Sequence, residues 1–493
     1  MMLQMLQTVV LGASPAGLSA AYELARHSRR ATVLESSNYV GGLARTERHQ
    51  DCYIDIGWGS LSKQQEQPGQ PDSVQRLWNE LAGEAQVNVK VRSRIYYRHR
   101  LFEYPLSFTN ALKHLGPIDT SLAGLSYLKH HFVAQQRPGQ EPQTAQEWVN
   151  NQFGPHLNRI FFDAYLQKVW GQGGQHLAPR CASQPLRQQS QSQQSRSQQN
   201  RPSKSLLRAT SETLLGGQAP TVQYPERGVG QIWQTCRRRL EAAGSNVFLN
   251  TQLVRLEHNN RRISQAIAIS ENTLQTIPVS DLVSSLPLSE LTAYLNAPAE
   301  IQHSAQRLQY RHVVQVSLVL ATKDLFPEQW LYVHSPDVRV SRIQNFKNWS
   351  PAMVASLKVT CLGMTYFCCD RDALWHMNHS ELLKLASEEL VQLGLLANVE
   401  PIQFGTVTRQ QSAYPIHTPN TLKHQALVQD YLSRFENLHA VGRCGRHEYG
   451  ELNACVLSGQ QAARNVIDKA PAEAFRDGFQ FSRPTSQPTE YVR

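Results

Sequence analysis

Six residues near the amino terminus, Gly12-Ala13-Ser14-Pro15-Ala16-Gly17, join a short apolar run at 9–11 to an alanine- and leucine-rich run at 18–25. A strand, a glycine-rich turn and a helix in that order make a phosphate cradle. The first glycine permits the tight bend, the second lets backbone approach a pyrophosphate, and the third lets the helix pack closely on the strand. Gly12 and Gly17 take the first and third places. Ser14 takes the second, where its hydroxyl can contact a phosphate oxygen, and the helix that begins beside Gly17, after Ala16, offers free amides and a positive dipole end. Glu35 ends the following strand, about 20 residues beyond the turn, where a carboxylate accepts hydrogen bonds from an adenosine ribose and disfavours a 2′-phosphate.

A second stretch narrows the ligand. In "SSNYVGGLART", Gly41-Gly42 and then Arg45 follow the ribose carboxylate, so the chain can pass close under a further part of a large cofactor, beyond what nicotinamide requires. FAD is the expected cofactor. Near the other end, "NLHAVGRCG" reads as a strand entering the turn Gly442-Arg443, and 452–467 as a helix whose positive N-terminal end would face the flavin and stabilise its anionic reduced form.

The elements that must hold these residues are legible from period and breakers. Residues 9–59 read as a βαβ unit plus an extended segment, and 91–104 as a hairpin turning at Arg98-His99-Arg100. Residues 106–171 read as a helical lobe, with Thr144 as a cap and Phe161, Phe162, Tyr165 and Trp170 as its aromatic core. Strands are expected at 247–249, 253–257, 263–269 and 282–285, then a second sheet from 312–320, 330–333, 338–346 and 363–369. A serine-capped amphipathic helix is expected over 380–393. The glutamine-rich stretch 184–204 and the tail from 470 hold too few apolar residues to offset ordering entropy.

The expected fold is therefore α/β: a discontinuous, GR2-type Rossmann-like FAD-binding domain, a second mixed or antiparallel substrate sheet, and a helical lobe. Its segments run 1–95, 222–290 and 401–469 for the FAD domain, 96–221 for the hairpin and lobe, and 291–400 for the substrate sheet.

Composition excludes several classes. Basic residues outnumber acidic ones 49 to 39, which favours anionic ligands, yet the basic clusters at 26–30, 90–100 and 237–239 fall within helix- or strand-like segments and read as solvated faces, not a nucleic-acid track. Eight scattered cysteines without a CxxC pair argue against a zinc site or a secreted disulfide framework and fit a reducing cytoplasm. No apolar run approaches the roughly 18 residues of a spanning helix, which leaves peripheral membrane contact open.

The segments "GGLART", "YIDIGWGSLSK", "LFEYPL", "YLQKVWG", "YPERGVGQIW", "RIQNFKNWSP", "AYPIHTP" and "HAVGRCGRHEYGELN" occur in an order that resembles the superfamily of amine oxidases, protoporphyrinogen oxidases and UDP-galactopyranose mutases, its mutase-like branch in particular. That resemblance implies a UDP-sugar held beside reduced FAD, which acts as the nucleophile, while the protein grips the diphosphate with arginine and hydroxyl donors. It assigns the diphosphate to Arg342, Tyr414 and Tyr449, the nucleotide side to Tyr332, and a mobile substrate-side loop to Arg180. Gly57, Arg443 and Asn453 fall on its flavin-contacting segments. Two of those segments depart from the branch: Gly57-Trp58-Gly59 carries no histidine, and 451–455 read Glu-Leu-Asn-Ala-Cys. Two other readings therefore stand beside the mutase: an FAD oxidase or desaturase that removes hydride from an amine or from an apolar polyene or tetrapyrrole, and a non-catalytic flavin-fold scaffold.

Overall fold

The computed structural model describes residues 7–57, 73–104, 106, 108–135, 141–182, 221–259 and 261–468. Trp58, Gly59, the glutamine-rich stretch and the tail lie outside these residues.

The first sheet is built around Gln7–Leu11, whose Val9, Val10 and Leu11 are fully buried, as a parallel strand covered on both faces requires. It lies between Ala31–Leu34 and Thr273–Ser284, parallel to both. Asn246–Phe248 extends one side, and Leu438–Ala440 pairs parallel with Thr273–Ser284 on the other. Thr273–Ser284 is longer than the expected 282–285, because its first half leaves the parallel core and pairs antiparallel with Ile263–Ser270, itself paired with Thr251–His258. That first half is exposed, and hydrophobic patterning marks only the buried end.

The helix Pro15–Arg26 returns across this sheet and is covered by the last helix, Leu452–Asp468. Their contact is backbone-close: a Cβ at Gly459 would stand 2.0 Å from the Ala16 carbonyl oxygen. The last helix is thereby held at a fixed height on the first. Gly230–Ala242 lies against Pro15–Arg26 as well, burying Ile232, Trp233 and Cys236.

The second sheet has the order Ile402–Pro415, Tyr310–Leu320, Thr360–Cys368, Arg342–Asn345, Trp330–Val333, Ser93–Tyr97, Arg100–Glu103. All pairings are antiparallel except that of Trp330–Val333 with Ser93–Tyr97. Ile402–Pro415 falls in the segment 401–469 expected for the FAD domain; instead it runs antiparallel along Tyr310–Leu320 from end to end. The hairpin Ser93–Tyr97 and Arg100–Glu103 joins this sheet too, turning where Arg98 and His99 both have positive φ (48° and 59°). Tyr310–Leu320 is buried on both faces, with Val314, Val316, Leu318 and Leu320 toward the helix His379–Gln392 and Val313 and Val319 toward the lobe. That helix is capped by Asn378 in a reciprocal box with Glu381, not by the expected serine, because asparagine reaches the Glu381 amide at 3.0 Å.

The lobe comprises Phe108–Leu115, Pro117–Gln135, Ala145–Leu157 and Asp163–Trp170, with a π-turn at Asn158–Phe162. Thr144 caps the third of these helices as expected, accepting from the Glu147 amide at 3.1 Å. Lys168 ties the lobe to the second sheet, its Nζ donating to the carbonyls of Val333, Ser335 and Val340.

Candidate functional site

The phosphate turn has the close packing its glycines call for. A Cβ at Gly17 would stand 2.1 Å from the Gly12 carbonyl oxygen, and the Gly12 amide donates to Leu34 O at 2.8 Å, which pins the turn between the first two strands. Ser14 is the N-cap, its hydroxyl accepting from the Gly17 amide at 3.3 Å. Glu35 lies at the lip of the turn: one carboxylate oxygen accepts from the Ala13 amide at 2.8 Å, the other from the Ser37 amide at 2.9 Å and its hydroxyl at 2.7 Å. Gly41 donates to the Ala13 carbonyl at 2.8 Å, so the Gly41-Gly42 segment passes directly over the turn.

Arg45 is buried and fixes that segment. It donates to the Gly42 carbonyl at 2.9 Å, to Glu47 at 2.8 Å and to Gln410 of the second sheet at 2.8 Å, with its guanidinium 4.0 Å over the Tyr39 ring. Gly57 passes beneath, where a Cβ would meet the Leu43 carbonyl oxygen at 2.4 Å. On the opposite side the Gly442 amide donates to Ser458 Oγ at 2.9 Å, and a Cβ there would stand 2.9 Å from that of Ala16. Asn453 is buried in the first turn of the last helix. A helix N-terminus, a ribose-type carboxylate and a side-chain-free glycine segment over the turn are a donor set that fits an adenine dinucleotide such as FAD.

Between the sheets and the lobe, four of the five expected substrate residues fall into one cluster. Arg342 is opposite Tyr332 in adjacent strands. Its guanidinium lies 5.6 Å over the Trp330 ring and 5.0 Å over Phe367, and it hydrogen-bonds Tyr414. Tyr414 and Tyr449 have ring centroids 5.9 Å apart, and Arg443 lies over both, at 4.4 Å and 5.4 Å. Arg443 is locked there by the Gly450 carbonyl, which it meets at 2.7 and 3.0 Å. Burial alone would raise the Tyr414 hydroxyl; Arg342 and Arg443, on either hand, attract and hydrogen-bond it strongly enough to bring it below the ordinary tyrosine value. Tyr449 moves the opposite way, raised by burial and by its neighbour Tyr414. Glu451, just before the last helix, is pushed up to about 7 by burial, with Arg443 opposing.

Arg180, the fifth, is placed by its neighbours. Its charge bears on His417, His447 and Cys181, the two histidines being close in sequence to Tyr414 and Tyr449. Ala178 and Cys181 are fastened to the carbonyl of His417, and Arg180 is carried with them.

Two further aromatic residues belong to the cluster. Phe161, Phe162 and Trp170 are lobe core as expected, but Tyr165 turns into the cluster, 6.5 Å from Tyr332 at 77° and stacked on His334 at 4.2 Å. The π-turn immediately before its helix shifts the phase of the side chains that follow, which a regular 3.6-residue period cannot anticipate. Tyr104, in "LFEYPL", stacks on Tyr332 at 3.9 Å; only its place at the end of a hairpin strand hints at this.

Asp55 joins the two halves. Its carboxylate accepts from Thr46, Tyr224 and the Val229 amide, while its carbonyl accepts from Gln315 of the second sheet at 2.7 Å. Among the described residues no group of three or more His, Cys, Asp or Glu side chains could hold a metal, and no helix is long and apolar enough to cross a membrane.

The fold has known counterparts. A solved UDP-galactopyranose mutase in its reduced form superposes with a TM-score of 0.76, covering 94% of this chain and 96% of that one at 19% identity. A redesigned putrescine oxidase gives 0.59 with 94% and 99% coverage at 16% identity, and a fatty acid isomerase from P. acnes 0.59 with 94% and 99% at 12%. At these identities the likeness is one of fold. Among curated proteins, an L-amino-acid oxidase of Crotalus adamanteus is 51% identical over 51 residues, and an L-amino acid oxidase of Crotalus durissus cumanensis 53% over 49. Each match spans about a tenth of either chain. The family described as flavin containing amine oxidoreductase matches residues 15–467, nearly the whole length described above. The chain is thus a member of the flavin-containing amine oxidoreductase family, and its cofactor is FAD.

Proposed function

We propose that this flavoenzyme binds a sugar nucleotide, or a substrate of the same diphosphate-bearing class, in the arginine–tyrosine cluster and isomerises its sugar ring. The observation that carries this reading is the placement of Tyr414 between two buried guanidinium groups: Arg342 hydrogen-bonds it and Arg443 lies 4.4 Å over its ring. A position where a phenol is drawn toward ionisation is one where fixed positive potential welcomes phosphate oxygens. In this reading Arg342 takes the diphosphate in a forked, charge-assisted contact, Tyr414 and Tyr449 supply hydroxyl donors, and Tyr332 lines the nucleotide end. When bound, reduced FAD supplies the nucleophile for the anomeric carbon. The protein's part is to orient the sugar and to exclude water with the surrounding Trp170, Trp330 and Phe367 rings. Arg180 lies outside this assignment.

An amine substrate is the competing reading, and it fits the cluster less well. Paired tyrosine faces attract cations, but Arg443 already lies over both Tyr414 and Tyr449, so an incoming ammonium would meet a like charge. The test is a titration of the purified yellow protein with UDP and UDP-galactose, followed by flavin absorbance, together with turnover of UDP-galactose after dithionite reduction. A perturbed spectrum that is lost in Arg342→Ala, with pyranose–furanose exchange, supports the reading. Flavin reduction by putrescine or L-amino acids, with no response to UDP, replaces it by an oxidase. A colourless protein that does not take up FAD points to a scaffold.

A further inference from the structure

The helix Pro117–Gln135 is packed inside out. Toward the lobe it presents small contacts: Ala123 is fully buried, and Gly154 on the next helix comes so near that a Cβ there would meet the Tyr127 backbone at 3.0 Å. Toward solvent it presents Ile118 (76% exposed), Leu122 (46%), Leu125 (66%), Leu128 (49%) and Phe132 (65%). A surface helix ordinarily does the reverse. The five side chains expose roughly 500 Å² of apolar surface, as much as the largest patch on a typical monomer and a mark of an interaction face.

The spacing of the five says what covers them. Ile118 and Phe132 stand seven residues either side of Leu125, and Leu122 and Leu128 three either side. Seven residues are two helical turns and three are close to one, so all five share a stripe that reads the same in both directions. Such a stripe complements itself under a two-fold axis through Leu125: an antiparallel copy brings Ile118 against Phe132, Leu122 against Leu128, and Leu125 against itself. The charges agree. Among the fully exposed positions described in this helix, Lys129 is the charged one, and its two-fold counterpart is Ser121, so no like charges face each other.

We propose that this stripe is the contact face between two copies of the chain, paired antiparallel across Leu125. Two copies bury roughly 1,000 Å² in total, at the lower end of specific interfaces, so the dimer forms in a concentration-dependent way. A heterogeneous partner has no reason to demand a palindromic spacing; a second copy does.

The test is sedimentation velocity of the full-length, FAD-loaded chain over roughly a hundredfold range of concentration. The parent passes from monomer to dimer. Leu125→Glu sets two carboxylates on the axis and weakens the dimer by at least about a hundredfold, with bound FAD unchanged. Oxidation with copper–phenanthroline gives an independent readout. Leu125→Cys cross-links to itself and the parent does not; Ile118→Cys cross-links only when mixed with Phe132→Cys. A parent that stays monomeric, a dimer that survives Leu125→Glu, or self-cross-linking of Ile118→Cys equal to that of Leu125→Cys overturns the proposal. A monomeric parent that binds phosphatidylglycerol vesicles, and loses them on Leu125→Glu, gives the stripe to a lipid surface and overturns it as well.

Discussion

Replacing Asp55 with asparagine separates a charge effect from a hydrogen-bond effect at the junction of the two halves. Burial pushes the Asp55 carboxyl up to about 6 from an ordinary 3.8, although hydrogen bonds from Thr46, Tyr224 and the Val229 amide work the other way. A gap of about two units corresponds to about 3 kcal/mol. Because the folded value lies above the unfolded one, the folded state holds this proton more tightly. The stability associated with the neutral carboxyl is complete below pH about 4 and is lost as pH rises through about 6. Above that, the junction carries an ionised group where water is excluded. The carboxamide of the Asp55→Asn variant would stay neutral throughout while keeping one acceptor oxygen for Thr46 and Val229. The stability of this variant relative to the parent should therefore rise by about 3 kcal/mol between pH 4 and pH 8. Paired urea titrations of the two proteins across that range, with FAD in excess, measure the difference directly, and pH effects of all other groups cancel in it. A difference that stays constant to within about 0.5 kcal/mol would refute the assignment of Asp55 as a desolvated, proton-retaining carboxyl.

Three further outcomes are expected. Gly17→Val drives a side chain into the Gly12 carbonyl oxygen, 2.1 Å from its Cβ, so the protein should purify without colour and bind FAD at least about a hundredfold more weakly by calorimetry. Arg342→Ala removes the charge-assisted fork and should raise the dissociation constant for UDP by about 30- to 1,000-fold while FAD absorbance is retained, since Arg342 stands on the second sheet. Lys168→Met leaves the carbonyls of Val333, Ser335 and Val340 without their shared donor and should lower stability by roughly 2–4 kcal/mol, read by chemical denaturation, with an unchanged flavin spectrum.

The cofactor end is the most legible part of the chain, because its determinants are local. Gly12, Ser14 and Gly17 act within one turn, and Glu35 closes onto Ala13 from the end of the adjacent strand. The Tyr332, Arg342, Tyr414 and Tyr449 cluster is legible only through order and resemblance: these residues come from well-separated segments, and no local period announces that Arg342 will face Tyr414. Tyr165 and Arg180 mark the boundary of what pattern can reach. Tyr165 is hidden by a π-turn that breaks the helical phase, and the place of Arg180 is set by bonds from Ala178 and Cys181 to the His417 carbonyl that no composition reveals. No strand is expected over Ile402–Pro415, and its pairing with Tyr310–Leu320 is a long-range choice that local pattern does not carry.

The contact of Gly459 with Ala16, and the pairing of Leu438–Ala440 into the first sheet, impose an order on biosynthesis. The crossover built from Gln7–Leu11, Pro15–Arg26 and Ala31–Leu34 is synthesised before Leu452–Asp468, and one of its faces has no cover until that helix emerges more than 400 residues later. A cofactor held by the covered crossover would be captured late in the life of the nascent chain. A premature stop after residue 440 would release a polypeptide that displays the uncovered side of that crossover to chaperones and proteases.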